Sequence, residues 1–325
     1  MPWQRWSDER AGIALAVLAA FGFSFKAILV KLAYAVAPID AVTLLTLRMG
    51  FALPMVLWVT LVMHRQAPPL KRQDWGLLAL LGLLGYYGAS ILDFMGLQFI
   101  SSGLERLILF TYPTITVLLG VFLLGQTLQR RQVQALVLSY VGIGLAFAHD
   151  LGVAGNTTAV VFGSALVLGS AVSYALYSAG SEVAVKRLGS LRFSALAISV
   201  SAMASLVHFA VSHPLSTLQQ PPRIYAYGAA MALFSTVLPV FWQSSAVRRI
   251  GSARAALIGT LGPMLTLFFG WALLAEPISA PQLAGAALVL CGVWQVSRPT
   301  AAPKPSPALA ADVGERSGTH HPLRS

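Results

Sequence analysis

Residues 100–144 and 250–294 are one segment written twice. Set over each other, ISSGLERLILFTYPTITVLLGVFLLGQTLQRRQVQALVLSYVGIG and IGSARAALIGTLGPMLTLFFGWALLAEPISAPQLAGAALVLCGVW need no gap. Ser102 falls on Ser252, Pro113 on Pro263, Thr116 on Thr266, Gly120 on Gly270, Gln132 on Gln282 and Gly142 on Gly292. The same spacing sets Asp93 on Gln243. A repeat at a fixed offset fixes the architecture as two similar halves. In an apolar chain, duplicated halves point to a transporter.

The chain is that apolar. It is 57% hydrophobic and 10% charged, where soluble domains carry roughly 25% charged residues. Apolar blocks long enough to cross about 30 Å of hydrocarbon as helices recur near 11–34, 41–63, 75–97, 103–125, 133–149, 158–180, 194–212, 225–247, 253–275 and 282–297. The blocks near 133–149 and 282–297 are short and should cross with little tilt. The first block is too long for a cleavable signal peptide, so it is expected to stay as a membrane anchor.

The formal net charge of +11 does not make a nucleic-acid face, which would need the basic residues clustered on one element. They alternate instead. Arg5 and Arg10, Arg65 to Arg72, Arg130 and Arg131, Lys186 to Arg192, Arg248 to Arg254 and the tail from Arg298 fall in the N-terminus, the even-numbered loops and the C-terminus. That positive-inside pattern predicts both termini in the cytoplasm. The fold expected is an all-α integral membrane protein of ten transmembrane helices, in the inner (plasma) membrane. Five helices per half is an odd number, so the halves run in opposite senses and form inverted repeats. Helices 1 and 6 align less clearly, at an offset one residue longer: Gly12 meets Gly163 and Ala14 meets Ala165. The domains expected are a cytoplasmic N-terminus (1–10), a first five-helix repeat (11–149), an external linker (150–157), a second repeat (158–297) and a disordered cytoplasmic tail (298–325).

The segment FISSGLERLILFTYPTITVLLGVFLLGQTL and its twin RRIGSARAALIGTLGPMLTLFFGWALLAEPISAPQLAGAALVLCGVW resemble the EamA family of the drug/metabolite transporter superfamily. Small residues after a loop, a mid-helix Pro, a Gly, an acid and a following Q-x-x-G carry the resemblance. Here they are Ser252, Ala253, Pro263, Gly270, Glu276, Gln282 and Gly285. Lys31 and Arg48 also stand where the family often carries basic residues. The resemblance covers about residues 10–297 and implies ten helices, two inverted repeats and export of small metabolites. The first repeat departs from the pattern at Gln126, where the second has Glu276.

Ionisable groups inside membrane helices are costly and are functional candidates by default. Lys26, Arg48, Asp93, Glu105 and Arg106 all fall in one half of the first repeat. In the second repeat Glu105 and Arg106 become Ala255 and Ala256, Asp93 becomes Gln243, and Lys26 falls near Tyr177. That asymmetry marks a polar ligand on one side. Other readings stay open at this point. Asp93 and Arg106 flank a short turn and can neutralise each other. Glu105 can cap a helix start. Arg48 can pair with Asp93 or Glu105. Lys26 lies roughly 13 Å deep at 1.5 Å per residue and lacks an acidic helical neighbour, so its removal is expected to cut transport and spare the fold, or, if it is half of a structural pair, to lower stability sharply. Lys31 is nearer the interface and reads as a snorkelling lysine.

Substrate-binding candidates are thus Lys26, Arg48, Tyr86, Asp93, Tyr112, Tyr177, Trp242 and Gln243, with Tyr87, Tyr174 and Trp271 behind them. Ion-pair or coupling candidates are Asp93, Glu105 and Arg106. Pro113 and Pro263 each free a carbonyl one turn earlier and are hinge candidates. Gly82, Gly85 and Gly88 read as close helix packing. The histidines show no metal-ligand spacing, the single Cys291 no disulfide or Cys cage, and no P-loop points to ATP. No cofactor is expected. The partners expected are the lipid bilayer and a zwitterionic or anionic small molecule, and no nucleic acid; energy coupling stays open between Asp93 or Glu105 as a proton carrier and facilitated diffusion. The rival functions are a flippase for lipid-linked phosphates, and a membrane enzyme or a receptor, for which no acid/base cluster and no soluble domain is found.

Overall fold

The computed structural model describes residues 2–64, 70–124, 130–153 and 155–297. Arg65, Gln126 and the tail from Arg298 lie outside the described residues, as do the side chains of Ser252 and Ala253. Among the described residues the chain is helical, with no strand. We number the helices α1 (Pro2–Val36), α2 (Ala41–His64), α3 (Arg72–Gly96), α4 (102–124), α5 (Arg130–Val153), α6 (Thr157–Leu188), α7 (Ser190–Ser212), α8 (Pro222–Ile250), α9 (252–274) and α10 (Ala280–Ser297). Nine of these are long and apolar enough to cross a membrane. In α10 the apolar stretch is shorter, Ala280–Trp294.

Some bounds differ from hydropathy. Helix α1 runs back to Pro2, where Asp8 and Glu9 reach Arg249 and Arg254 at 3.2 and 2.6 Å. Helix α6 runs on to Leu188. Its last turn carries Lys186 and Arg187, which suit the negative end of a helix dipole. Helix α5 reaches Val153, so the first part of the expected linker is helix. Hydropathy sees only the apolar part of a helix, and these ends are polar.

The bundle exposes large apolar side chains and buries polar and charged groups within an otherwise apolar core. Leu57, Trp58, Leu61, Phe122, Val137 and Val207 are exposed, whereas Ser24, Thr43, Arg48, Asp93, Ser102, Glu105 and Arg106 are buried. Lipid offers no hydrogen bonds, so polar groups must find partners within the protein.

The halves exchange contacts under the sequence offset. A Cβ added to Gly142 of α5 would lie 2.5 Å from the Gly285 carbonyl of α10. Its image, a Cβ on Gly292, would lie 2.6 Å from the Ala135 carbonyl. Likewise a Cβ on Gly12 would meet Ile250 and one on Gly163 would meet Ile100. Contacts that map onto each other when the halves are swapped are what a twofold relation produces. The irregularities repeat as well. Helix α3 contains a π-helical turn at Leu83–Gly88 and α8 one at Leu233–Val237. Helix α4 breaks at Phe110–Thr111 and α9 at Thr260–Leu261.

Candidate functional site

The five ionisable residues converge from α1, α2, α3 and α4. On α3, Tyr86, Ser90 and Asp93 share one face, at spacings of one and two turns. The short turn after Gly96 then brings the start of α4 beside α1, where Glu105 and Arg106 leave the helix in different directions.

Lys26 Nζ lies 2.5 Å from Asp93 Oδ2 and 3.4 Å from Glu105 Oε1. The lysine side chain is 16% exposed, Asp93 1% and Glu105 0%. Lys26 has no acidic partner on α1, and its partners come from other helices, which spacing along α1 cannot reveal. Two carboxylates face one ammonium, and Asp93 Oδ1 and both Glu105 oxygens make no hydrogen bond. Glu105 does not cap α4. That task falls to Ser101, whose hydroxyl accepts from Leu104 N at 3.1 Å.

Neither arginine takes a carboxylate. Among the described residues no ion pair joins Asp93 to Arg106, or Arg48 to Asp93 or Glu105. Arg48 Nε donates to Thr236 Oγ1 of the α8 π-turn at 2.8 Å, and its Nη1 to Ser90 Oγ at 3.4 Å. Its guanidinium lies 5.4 Å from the Phe94 ring centroid, a favourable cation–π placement. Arg106 Nη2 donates to Ser24 Oγ at 3.4 Å, and its guanidinium lies 5.4 Å from the Phe110 ring.

The tyrosines form a row. Tyr112 meets Tyr174 edge-on at 4.8 Å, Tyr174 meets Tyr177 at 5.3 Å, and Tyr177 meets Tyr86 at 5.4 Å. The Tyr177 hydroxyl donates to that of Tyr86 at 3.3 Å. The row depends on glycine: a Cβ on Gly85 would sit 2.3 Å from the Tyr177 ring. Gly82 opens the same face to α7, where a Cβ would lie 2.8 Å from the Ala197 carbonyl. Tyr87 points elsewhere, to His208 Nδ1 at 2.7 Å. Trp242 and Gln243 are half-buried on α8, and no hydrogen bond or ring contact among the described residues joins them to the cluster. Trp271 is exposed beside Phe268.

The breaks before Pro113 and Pro263 are local tightening. Thr111 N bonds Ile108 O at 3.0 Å, and Leu261 N bonds Ile258 O at 3.1 Å. Proline has no N–H to continue the ladder, so both helices restart at the proline.

Lys31, read as a snorkelling lysine, is held by the other repeat. Its Nζ lies 3.0 Å from Glu276 Oε1 and donates to the Ile100 carbonyl at 2.7 Å. Glu276 accepts from Ser102 N at 3.1 Å and from Ser102 Oγ at 2.6 Å. A carboxylate of the second repeat thus caps the positive end of α4 in the first. Beside it, Asp150 accepts from Ser101 Oγ at 2.7 Å and Gln282 Nε2 at 3.0 Å. This network lines a cavity of about 200 Å³ with His149 and Leu267, separate from the Lys26 cluster. The repeat signature singled out Glu276 and Gln282, but nothing in the sequence indicated which helix they hold. Ser24, Ser90 and Thr236 were missed as polar partners. Thr236 alone left a signal, as the counterpart of Tyr86.

The EamA-like transporter family model matches residues 10–148 and 161–298. The chain is 28% identical over 294 residues to an uncharacterized transporter, YcbK, of Bacillus subtilis (strain 168), covering 86% of this chain and 90% of the relative. It is 27% identical to a second uncharacterized transporter of that organism, YyaM, over 69% of this chain and 73% of the relative. A solved structure named "Crystal structure of protein" superposes with a TM-score of 0.61 at 16% identity, covering 95% of this chain and 99% of the other. That likeness concerns the fold alone.

Proposed function

We propose, on the premise that the chain belongs to the EamA-like transporter family, that this membrane transporter is a secondary exporter of small metabolites, amino acids or related carboxylates among them. The observation that carries the reading is the cluster of three cations and two carboxylates beside the tyrosine row. A polar cluster buried in a membrane bundle is expensive, and an apolar interior would hold a mere scaffold together at lower cost. The ligand is zwitterionic or anionic, since the five charges sum to +1. Lys26, Arg48, Tyr86, Asp93, Tyr112 and Tyr177 line its path between the repeats, and Trp242 and Gln243 flank it.

In this reading α10 crosses the membrane like the other nine helices, and the two repeats are inverted about an axis in the membrane plane. Both termini lie in the cytoplasm and the protein resides in the inner membrane. Alternating access exchanges the conformations of the halves, with the helices hinging at Pro113 and Pro263. The Lys26–Asp93–Glu105 trio carries one negative charge when all three are ionised. A single proton neutralises it, so the trio is the proposed proton-coupling centre.

Two measurements test this. Reporter fusions after Ser325 and near Gly152 are expected to give cytoplasmic and external signals respectively. An external signal from Ser325 overturns the orientation. Purified protein in vesicles is expected to exchange labelled soluble amino acids or carboxylates across the bilayer, without competition from lipid phosphates. Competition by the lipids with no exchange of soluble solutes favours a flippase.

A further inference from the structure

We propose that Arg106 is the anion anchor of the transport site, and that the substrate is a carboxylate carried on an apolar or aromatic body. The inference rests on the transporter reading and names the substrate class of that same site.

The argument is one of unmet donors. Three cations occupy the cluster. Lys26 is engaged by Asp93 and Glu105. Arg48 spends donors on Thr236 and Ser90. Arg106 is 8% exposed, yet has no carboxylate within ion-pair distance among the described residues. Its one hydrogen bond there is the 3.4 Å contact to Ser24. Its Nε is buried with no hydrogen-bond partner among the described residues. A guanidinium carries five donors in a rigid fork, and burying them unmet is costly. The fork matches the two oxygens of a carboxylate.

The packing around Arg106 is close and defines the ligand's body. Arg106 stands where the broken helices α4 and α9 meet. Gly262 of α9 faces it without a side chain: a Cβ there would come 3.2 Å from Arg106 Nη2 and 3.1 Å from the Phe110 ring. The segment Gly262–Leu274 starts at this point, and its free amides add positive potential. Ser24 ties the two together, because its hydroxyl contacts both Arg106 and the Gly262 carbonyl, the latter at 3.1 Å. Glu105 and Asp93 act on Arg106 through space without forming an ion pair with it, and Tyr112 and Tyr174 lie within the same reach. From them the ring row runs through Tyr177 to Tyr86. A carboxylate on Arg106 therefore has aromatic faces along its length, which suit an apolar or aromatic body. In the second repeat Ala256 replaces Arg106, so only one end of the ligand is gripped.

The test uses the full-length protein purified in detergent, with 3-phenylpropionate and its neutral amide as probes. The acid is expected to raise the melting temperature of the wild type and the amide is not. Arg106→Lys keeps the charge and loses the fork, and is expected to weaken acid binding at least about tenfold. Arg106→Gln is expected to abolish it while melting at or above the wild type without ligand, since a costly buried cation is gone. If Arg106→Gln fails to fold, Arg106→Lys decides alone. Equal responses to acid and amide, or variants that bind the acid as the wild type does, overturn the inference. So does a wild type that ignores both probes. Vesicles that still exchange other soluble solutes would then leave the transporter reading standing, whereas vesicles that exchange none would remove that reading as well.

Discussion

Lys26→Met is expected to lower the melting temperature of the purified protein by on the order of 10 °C, because it leaves Asp93 and Glu105 buried against each other with no cation. Removing one partner of a buried ion pair costs about 3–5 kcal/mol, and each kcal/mol moves a chain of this size by roughly 2–4 °C. The sequence left two outcomes open, a lone lysine whose loss spares the fold and half of a structural pair whose loss lowers stability sharply, and the geometry favours the second. The methionine keeps the stem and the volume, so packing is held constant and charge alone is tested. The triple variant Lys26→Met, Asp93→Asn, Glu105→Gln is expected to recover most of the stability, since neutral groups replace the whole cluster. It should not recover proton-coupled transport. A single variant that melts with the wild type would show that the trio contributes nothing to the folded state.

Gly285→Leu is expected to abolish the folded protein, read as loss of monodisperse material on size exclusion. Helices α5 and α10 cross there with backbone against backbone. A Cβ on Gly285 would lie 2.4 Å from the Gly142 carbonyl oxygen, and a carbonyl on a helix cannot swing aside as a flexible side chain can. Small residues at a crossing are what let membrane helices approach this closely. Gly144→Leu is the control. It lies on α5, two residues from Gly142, and a Cβ there meets nothing within 4 Å. It should fold normally, helped slightly by the better helix propensity of leucine. If both variants behave alike, the crossing does not depend on glycine.

The sequence by itself determined the parts that follow from short-range rules. Apolar block length placed the helices, because a membrane sets a minimum number of residues per crossing. The repeat of Pro113 as Pro263 and Gly142 as Gly292 announced two related halves, and the helix breaks and the α5–α10 crossing recur at those positions. The depth of Lys26 and the asymmetry of Glu105 and Arg106 against Ala255 and Ala256 located the polar cluster in the first repeat, since charge in lipid needs a reason. Only the tertiary structure decided how those charges pair. Lys26 meets Asp93 across 67 residues of chain, Lys31 meets Glu276 of the other repeat, and Arg48 meets Thr236 rather than an acid. Spacing along one helix reports neighbours three or four residues apart. Pairing between helices depends on their relative rotation and on which glycines let them close, and these are settled only when the whole bundle packs. The same packing left Arg106 without a carboxylate at ion-pair distance among the described residues, because both nearby acids turn toward Lys26.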